Sequence, residues 1–465
     1  MEELERNKKA RTRLSEKIGS LPFVRILLLV YFALTVLFLA WYVLYVYLIA
    51  SFPYDTIDGP KFLYGTIFFQ DPGDYFMDFF NVNFMVSDRN PYYVEGDVGG
   101  GSSYPPLILA IAFFFQLISG TAESGKELRL TTGGIVSGVI YQALVLGLLC
   151  ASLFVWRKKN GIPLLDGILL CVSLCCSAPF LFLFDRGNYL MVALVFVAVF
   201  FLLRKEEKAW KREIALVSLA CAVGCKLYPA VFVFLLLREK RIREFLRALL
   251  YCVALGFLPF LFFKNGFSNV VYFLQNLSRF SSETYTFYVD GVLYSTGYSN
   301  DVSVANLANV VSMWLGNFSC FDLSESVSLV GRILTILFAV VTIGGIFLAK
   351  REEDALLFAC SAIVLLPSPS FVYTNTFLVF PFLAFLKNSK RDAGSVAMFI
   401  LFLCVFLPVD LGYLLQKWSH GLQHGYAVAN FVQCLAIVAT CLYRFAVALN
   451  DRFGESHDQR QTSVS

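Results

Sequence analysis

Charged residues are scarce in this chain. They make up 15% of its 465 residues, whereas 58% are hydrophobic and the mean hydropathy is +0.67. A soluble protein has to cover its surface with polar groups, so this composition excludes an ordinary soluble domain. Because only helices or closed barrels satisfy the backbone in lipid, and the apolar runs are long, the sequence predicts an all-α polytopic membrane protein.

A large net charge is also missing. The formal charge is only +4, and the basic residues form short clusters between apolar runs. This pattern gives no support to nucleic-acid binding and is typical of membrane topology signals. The polar start, MEELERNKKARTRLSEK, lacks the form of a cleaved signal peptide, so residues 24–51 are predicted to be a retained first span.

Metal motifs are absent as well. The twelve cysteines form no CxxC pair and no disulfide framework. Cys171 and Cys175 lie four residues apart on a predicted helix, but small packing residues are the default interpretation inside a membrane. His420 and His424 share the same spacing next to glycines and have no third ligand nearby. We therefore expect neither a metal nor another cofactor.

The basic clusters predict the topology, because Lys and Arg mark the cytoplasmic ends of spans. With the N-terminus inside, residues 52–130 form an external loop, in which PPLILAIAFFFQLIS (105–119) is too short to cross and is expected to be a re-entrant or interfacial helix. The remaining single spans are expected at 131–155, 163–184, 188–203, 246–263, 327–349, 393–412 and 426–447.

Two further apolar stretches have basic clusters at both ends, which one crossing cannot have. Residues 214–237 and 355–387 are therefore predicted to be hairpins that turn at CKLYP (225–229) and at LPSPS (366–370), near the outer face. The total is about twelve crossings. The membrane domain spans 24–447 between cytoplasmic tails at 1–23 and 448–465.

The external loops contain the candidate chemistry. Asp74 and Asp78 would share one face of a helix along the membrane surface, where a carboxylate suits a general base for a sugar hydroxyl. The alternative is an interfacial helix whose acids face water. The second external loop, 264–326, carries two N-x-S sequons, at Asn276 and Asn317, which matter only in a secretory-pathway host.

Two cations lie in predicted outer turns. Lys226 and Arg186 suit a phosphate at headgroup level, since charge-assisted contacts to phosphate are strong. Snorkelling to the interface is the alternative for Lys226, and helix capping is the alternative for Asn188.

Five segments in order resemble glycosyltransferase family 87, a family of the C-type (GT-C) membrane glycosyltransferases. They are DFFNVNFMVSDRNPYY, SSYPPL, DRGNYL, CKLYPAVFVFLLLREKR and PSPSFVYTNTFLVFP. The resemblance implies a GT-C fold with external interfacial helices. It also implies inverting transfer of a hexose, usually mannose, from a polyprenyl-phosphate donor to a lipid-linked or polysaccharide acceptor. The reaction would take place on the external face of the plasma membrane.

The resemblance also implies residue roles. Asp78 matches the catalytic Asp and would act as the general base, and Lys226 would bind the donor phosphate. Arg186 lies near the place of a missing family glutamine and would supply a donor contact, while Tyr373 is a candidate replacement for a family histidine. The predicted pocket comprises Asp74, Asn81, Arg89, Tyr92, Tyr104, Asn188, Tyr228, Ser368 and Tyr373.

Two other classes of protein share the many spans. A transporter or flippase of sugar-lipid substrates would place its polar groups near mid-membrane between paired repeats, which this sequence does not show. A polymer ligase or a non-catalytic scaffold is the other alternative. Turnover of the donor with release of polyprenyl phosphate separates an enzyme from both.

Overall fold

The structure is a computed structural model. It describes residues 22–50, 75–93, 101–283, 286–289, 292–295, 301–315, 325–408 and 422–462. Three residues named above, Asp74, Asn317 and His420, lie outside these ranges.

Long apolar helices dominate the described residues. Five have the length and hydropathy of a membrane span, and a sixth span is reached by counting one bent pair of helices. The five helices are α1 (Phe23–Ala50), α5 (Thr132–Lys159), α11 (Ile242–Phe257), α14 (Glu325–Leu348) and α18 (Leu422–Thr462). A 3-10 turn, Leu258–Phe262, extends α11. These helices confirm a helical membrane protein, while the total of about twelve crossings stays a prediction.

The predicted span over 163–184 is broken into two helices. The chain forms α6 (Leu164–Cys175) and α7 (Ala178–Arg186), which are bent by 60° relative to each other. Pro179 lies in the first turn of α7, where its missing N–H costs no hydrogen bond but where it cannot continue α6. The next helix, α8 (Leu190–Leu203), begins four residues after α7 ends.

Both predicted breaks are confirmed. In the stretch 214–237, α9 (Ala209–Cys225) ends before Lys226, and a 3-10 turn (Tyr228–Phe232) leads into α10 (Val233–Arg238). In the stretch 355–387, α15 (Glu352–Leu365) is followed by a 3-10 helix (Val372–Leu378) and α16 (Val379–Asn388). That each stretch is a hairpin in the membrane stays a prediction. Every residue of α15 from Asp354 onward is buried, so this helix forms the centre of the bundle.

Shorter elements complete the described chain. The predicted re-entrant or interfacial segment is a 14-residue helix, α3 (Pro106–Ser119), which packs against α5. The all-α class is confirmed, and β1 (Thr286–Val289) and β2 (Val292–Ser295) add a small antiparallel hairpin to the helices. The other helices are α2 (Met77–Met85), α4 (Gly125–Leu128), α12 (Asn269–Glu283), α13 (Asn306–Leu315) and α17 (Ala393–Phe406).

One buried amide joins the two long loops. The Asn276 side chain donates hydrogen bonds of 3.1 Å to the carbonyl oxygens of both Tyr92 and Ser102. Asn276 is 2% exposed, so this sequon is not an accessible glycan acceptor in the folded chain. The contact fixes α12 against both ends of the segment between Tyr92 and Ser102.

Ion pairs organise the predicted inner ends of the helices. Arg204, 2% exposed at the end of α8, pairs with Glu239 at 2.5 Å and with Glu352 at 2.6 Å. Arg444 of α18 donates to both carboxylate oxygens of Asp354 on α15. The scattered acids of these loops thus pair with the basic clusters, which is how buried charges are tolerated.

Candidate active site

The start of α2 is held against the end of α7. Phe76 has a left-handed backbone (φ 57°), and its N–H donates to the carbonyl oxygen of Asp185 at 2.8 Å. Gly187 ends α7 with φ 58°, and a Cβ there would lie 3.1 Å from the Cβ atoms of Phe76 and Phe79. Both the left-handed backbone and the close approach therefore favour a glycine at this position. This packing brings Asp78 beside Arg186.

Asp78 accepts hydrogen bonds from two side chains. Arg186 donates to Oδ1 from Nη2 at 2.7 Å and from Nε at 3.2 Å, and Asn188 donates from Nδ2 to Oδ2 at 2.7 Å. The oxygen of Asn188 accepts the N–H of Leu190, the first residue of α8, at 2.8 Å, which turns its amide nitrogen toward Asp78. The cap position of α8 is Tyr189, so Asn188 stands one residue before it, and its role in the site stays a prediction. Asp78 and Arg186 keep 18% and 23% of their side chains exposed, so the pair can meet a substrate.

A second cation lies in the turn that follows α9. Lys226 has an extended backbone, and its Nζ lies 4.1 Å from the centre of the Tyr104 ring, close enough for a cation–π contact. Burial lowers the pKa of Lys226 to about 8, although the charge of Asp78 acts in the opposite direction. Tyr104 lies close enough to Asp78 and Tyr228 for electrostatic interaction, and its side chain is hydrogen-bonded to Asn188.

We call these residues the Asp78 cluster. Its members are Asp78, Tyr104, Arg186, Asn188, Lys226 and Tyr228. They come from four separate segments and combine one carboxylate with two cations and two phenols. Such a set can bind an anionic group and accept a proton beside it.

An aromatic layer supports the cluster, and sequence reasoning missed it. Tyr141 donates to the carbonyl oxygen of Asn188 at 2.9 Å, and Tyr189 donates to Asn83 Oδ1 at 2.6 Å. Phe79 stacks on Tyr141 at 4.8 Å. Tyr189 follows the DRGN turn directly and could have been found, whereas Tyr141 lies in an apolar helix with no signal.

The turn at LPSPS (366–370), called the Ser-Pro turn below, is hydrogen-bonded to a buried carboxylate that sequence reasoning also missed. Asp301, 3% exposed, accepts from the hydroxyl of Ser368 at 3.2 Å, from the N–H of Ser370 at 2.8 Å, and from the N–H and hydroxyl of Ser303. Burial raises the pKa of Asp301 to about 6, and these hydrogen bonds act against the rise. Ser368 thus contacts Asp301, and no pattern in the sequence indicated this contact.

Tyr373 packs against α7, the helix that carries Arg186. Its ring lies 5.5 Å from the rings of both Phe371 and Phe182. Phe182 lies one helical turn before Arg186 on α7, so the 3-10 helix after the Ser-Pro turn packs beside the helix that carries Arg186.

Comparison with known families decides the class of protein. Residues 103–369 match the family model for glycosyltransferase family 87, which is more than half of the 465 residues. The chain belongs to glycosyltransferase family 87. This membership confirms the resemblance seen in the sequence and makes the chain a membrane glycosyltransferase, which acts on a sugar donor and an acceptor. No curated protein matches this chain.

Most residues of the candidate site of this family 87 glycosyltransferase lie within the matched range 103–369, and two lie outside it. Tyr104, Arg186, Asn188 and Lys226 lie within it, as do Tyr228 and Ser368. Asp78 precedes it and Tyr373 follows it, so the roles of these two residues rest on geometry and on the resemblance of single motifs. Those roles stay predictions.

Three predicted pocket residues of the glycosyltransferase are not members of the Asp78 cluster. Arg89 donates from Nε to the carbonyl oxygen of Phe262 at 3.1 Å and lies over its ring. Tyr92 is buried and donates to the carbonyl oxygen of Tyr104 at 3.0 Å, so it contacts the backbone of a cluster residue. Asn81 is exposed and lies against Gly125.

Proposed function

We propose that this glycosyltransferase transfers a hexose, mannose first among the candidates, from a polyprenyl phosphate to a hydroxyl of a lipid-linked or polysaccharide acceptor. The reaction would invert the anomeric carbon at the external face of the plasma membrane. The observation that carries the proposal is the hydrogen-bonded pair of Asp78 and Arg186, with Lys226 close enough for the charge of Asp78 to act on it.

The two cations suit the donor phosphate. Arg186 offers a planar pair of donors, and Lys226 offers a compact charge that now rests on the Tyr104 ring. As the bond between the sugar and the phosphate breaks, negative charge accumulates on the phosphate oxygen. Cations already in place stabilise that charge without reorganisation, so they lower the barrier to transfer.

Asp78 suits the acceptor. Arg186 occupies Oδ1 of Asp78, and the phosphodiester monoanion of an incoming donor competes for the same guanidinium. The freed oxygen then accepts the proton of the acceptor hydroxyl, while Asn188 keeps hold of Oδ2. The acceptor oxygen bonds to the anomeric carbon from the face opposite the phosphate, and the electron pair of the broken bond leaves with polyprenyl phosphate.

The external orientation rests on charge. The Asp78 cluster lies at the ends of α7 and α9, whereas the basic clusters and their ion pairs lie at the opposite ends of α8 and α9. Because Lys and Arg mark the cytoplasmic side, this arrangement favours an active site on the outer face.

A donor comparison tests the proposal. Purified full-length enzyme in detergent would be given radiolabelled mannosyl polyprenyl phosphate or a nucleotide-activated mannose, with a panel of short mannosides and glycolipids as acceptors. We expect transfer from the polyprenyl phosphate only, with the opposite anomeric configuration in the product by NMR. Transfer from the nucleotide sugar, or retention of configuration, would overturn the proposal.

A further inference from the structure

Three partly buried cysteine side chains, none of them a member of the Asp78 cluster, meet between two packed helices. Cys150 comes from α5, and Cys171 and Cys175 come from α6. Their three sulfur atoms all lie within 4.8 Å of one another, and the Sγ atoms of Cys150 and Cys171 are 3.6 Å apart. The spacing of four residues puts Cys171 and Cys175 on one face of α6, which faces α5.

These separations fit a three-coordinate metal ion. A metal–sulfur bond of about 2.3 Å in a planar trigonal site separates the sulfur atoms by about 4.0 Å. The sulfur–sulfur distances lie on both sides of this value, since one is 3.6 Å and none exceeds 4.8 Å. The thiols would therefore move only by a small distance on binding. Two ligands on one helix turn and a third on its packed neighbour also reduce the entropy lost on closing the site.

The surroundings narrow the choice of ion. The cysteines line a cavity of about 90 Å³ whose other walls are almost entirely apolar, among them Leu149, Leu174 and Phe180. Among the described residues, the metal-ligating groups within this cluster are the three thiols alone. An apolar cavity holds water poorly, so a fourth ligand for tetrahedral zinc is not at hand. Soft sulfur ligands without a fourth partner select Cu(I).

Charge favours the same ion. When Cu⁺ replaces one thiol proton and the other two sulfurs remain thiols, the site stays electrically neutral. Neutrality matters here because an unpaired charge in an apolar interior is costly. A divalent ion has to displace two protons to reach the same state.

We propose that Cys150, Cys171 and Cys175 form a binding site for a monovalent soft metal ion, Cu(I), between α5 and α6. Cys175 is the last residue of α6, and α7, which ends at Arg186, begins after a break of two residues. A bound ion would therefore fix the end of α6 from which the helix carrying Arg186 departs. The inference does not depend on the sugar or the donor.

The test is metal binding by the full-length protein. Reduced, metal-free enzyme in detergent would be titrated with Cu(I) against bicinchoninate as a competing chelator. We expect one Cu(I) per chain in the wild type and an affinity lower by at least about tenfold in Cys150→Ser, since one of three ligands is lost. Cys221→Ser combined with Cys252→Ser is the matched control, because this neighbouring pair offers only two thiols and should leave the wild-type binding unchanged.

X-ray absorption at the copper edge gives a readout that needs no variant. Three sulfur neighbours at about 2.3 Å support the site. Two sulfur neighbours, a shell of nitrogen or oxygen, wild-type binding below one ion per chain, or unchanged affinity in Cys150→Ser would each overturn it. A disulfide between Cys150 and Cys171 in protein isolated without reductant would overturn it too.

Discussion

At the scale of single residues, the carboxylate of Asp78 has to be both held and available. Arg186 and Asn188 occupy one oxygen each, which fixes the plane of the carboxylate and leaves part of its surface open. We therefore expect Asp78 to contribute to catalysis through the charge of its carboxylate and not through its packing.

Asp78→Asn is the direct variant. It keeps the shape but removes the base, so we expect transfer to fall by about 10²- to 10⁴-fold, the usual contribution of a general base. The assay is single-turnover transfer of radiolabelled mannose. Asp88→Asn is the control, because Asp88 is an exposed acid of the same loop that only accepts the N–H of Asn90. Near-normal turnover by a folded Asp78→Asn enzyme would exclude the base assignment.

Lys226 predicts a pH dependence. Its pKa is lowered to about 8 by burial, so in the free enzyme the ammonium loses its proton as pH rises through about 8. We expect kcat/KM for the donor to decline above that pH, since kcat/KM reports the free enzyme. Lys226→Arg, which stays charged, should lose this alkaline decline. An unchanged alkaline limb in Lys226→Arg would assign the titration to another group.

The sequence indicated the residues that lie next to short motifs. Asp78, Arg186 and Lys226 were found because charged residues are rare in apolar surroundings. Tyr141 and Asp301 were not found, because their roles come from contacts across more than forty residues of chain. No local pattern encodes such contacts.

At the scale of helices, the junction of α2 and α7 depends on Gly187. Gly187→Ala would add left-handed strain and push a Cβ against Phe76 and Phe79, so we expect a loss of about 1–3 kcal/mol in stability and a clear drop in activity. Gly161→Ala is the matched control, since Gly161 has φ +67° but open space around its Cβ position. Thermal unfolding and turnover would be measured for both. Equal activity in the two variants would show that the close approach does not position Asp78.

The Ser-Pro break depends on Asp301. Its pKa is raised from 3.8 to about 6, so the folded chain binds the proton more tightly than the unfolded chain. That contribution to stability is present below about pH 4 and is lost as pH rises to about 6, by roughly 3 kcal/mol at most. Asp301→Asn should remove this part of the pH dependence, as measured by the difference in melting temperature from wild type at pH 4 and pH 7. A difference that does not change with pH would contradict the prediction.

The helix breaks illustrate what sequence can and cannot supply. The turns after α9 and α15 were predicted from the parity of the basic clusters, which is a global constraint on the chain. The bend between α6 and α7 was not, because no charge marks it and Pro179 stands inside a continuous apolar run. The β1–β2 hairpin lies in the loop 264–326, which was predicted to be external and in which that parity gives no information.

At the scale of the whole molecule, α15 is surrounded by other helices, and Asp354 at its start pairs with Arg444 of α18. Asp354→Ala would leave a half-buried guanidinium unpaired, at a cost of about 3 kcal/mol. The double variant Asp354→Leu with Arg444→Leu should recover much of that loss. Thermal unfolding in detergent checks both. A double variant no more stable than the single one would show that the pair itself, and not the orphaned charge, matters.

The molecule as a whole was predictable in class and less so in detail. Composition alone indicated a membrane protein, and ordered motifs indicated the glycosyltransferase family. The predicted last span, 426–447, is part of a helix that continues to Thr462, since polar residues extend a helix in water as readily as apolar ones do in lipid.

The short length of α8 affects how deep the candidate site lies. Its 14 residues rise about 21 Å, whereas the hydrocarbon core of a bilayer is about 30 Å thick. Asn188 precedes this helix and the buried Arg204 follows it, so both polar ends cannot lie at flat lipid surfaces. Every residue of α8 is buried or half-buried, so neighbouring helices and not lipid surround it, and we expect the Asp78 cluster to lie below the membrane surface in a depression walled by protein.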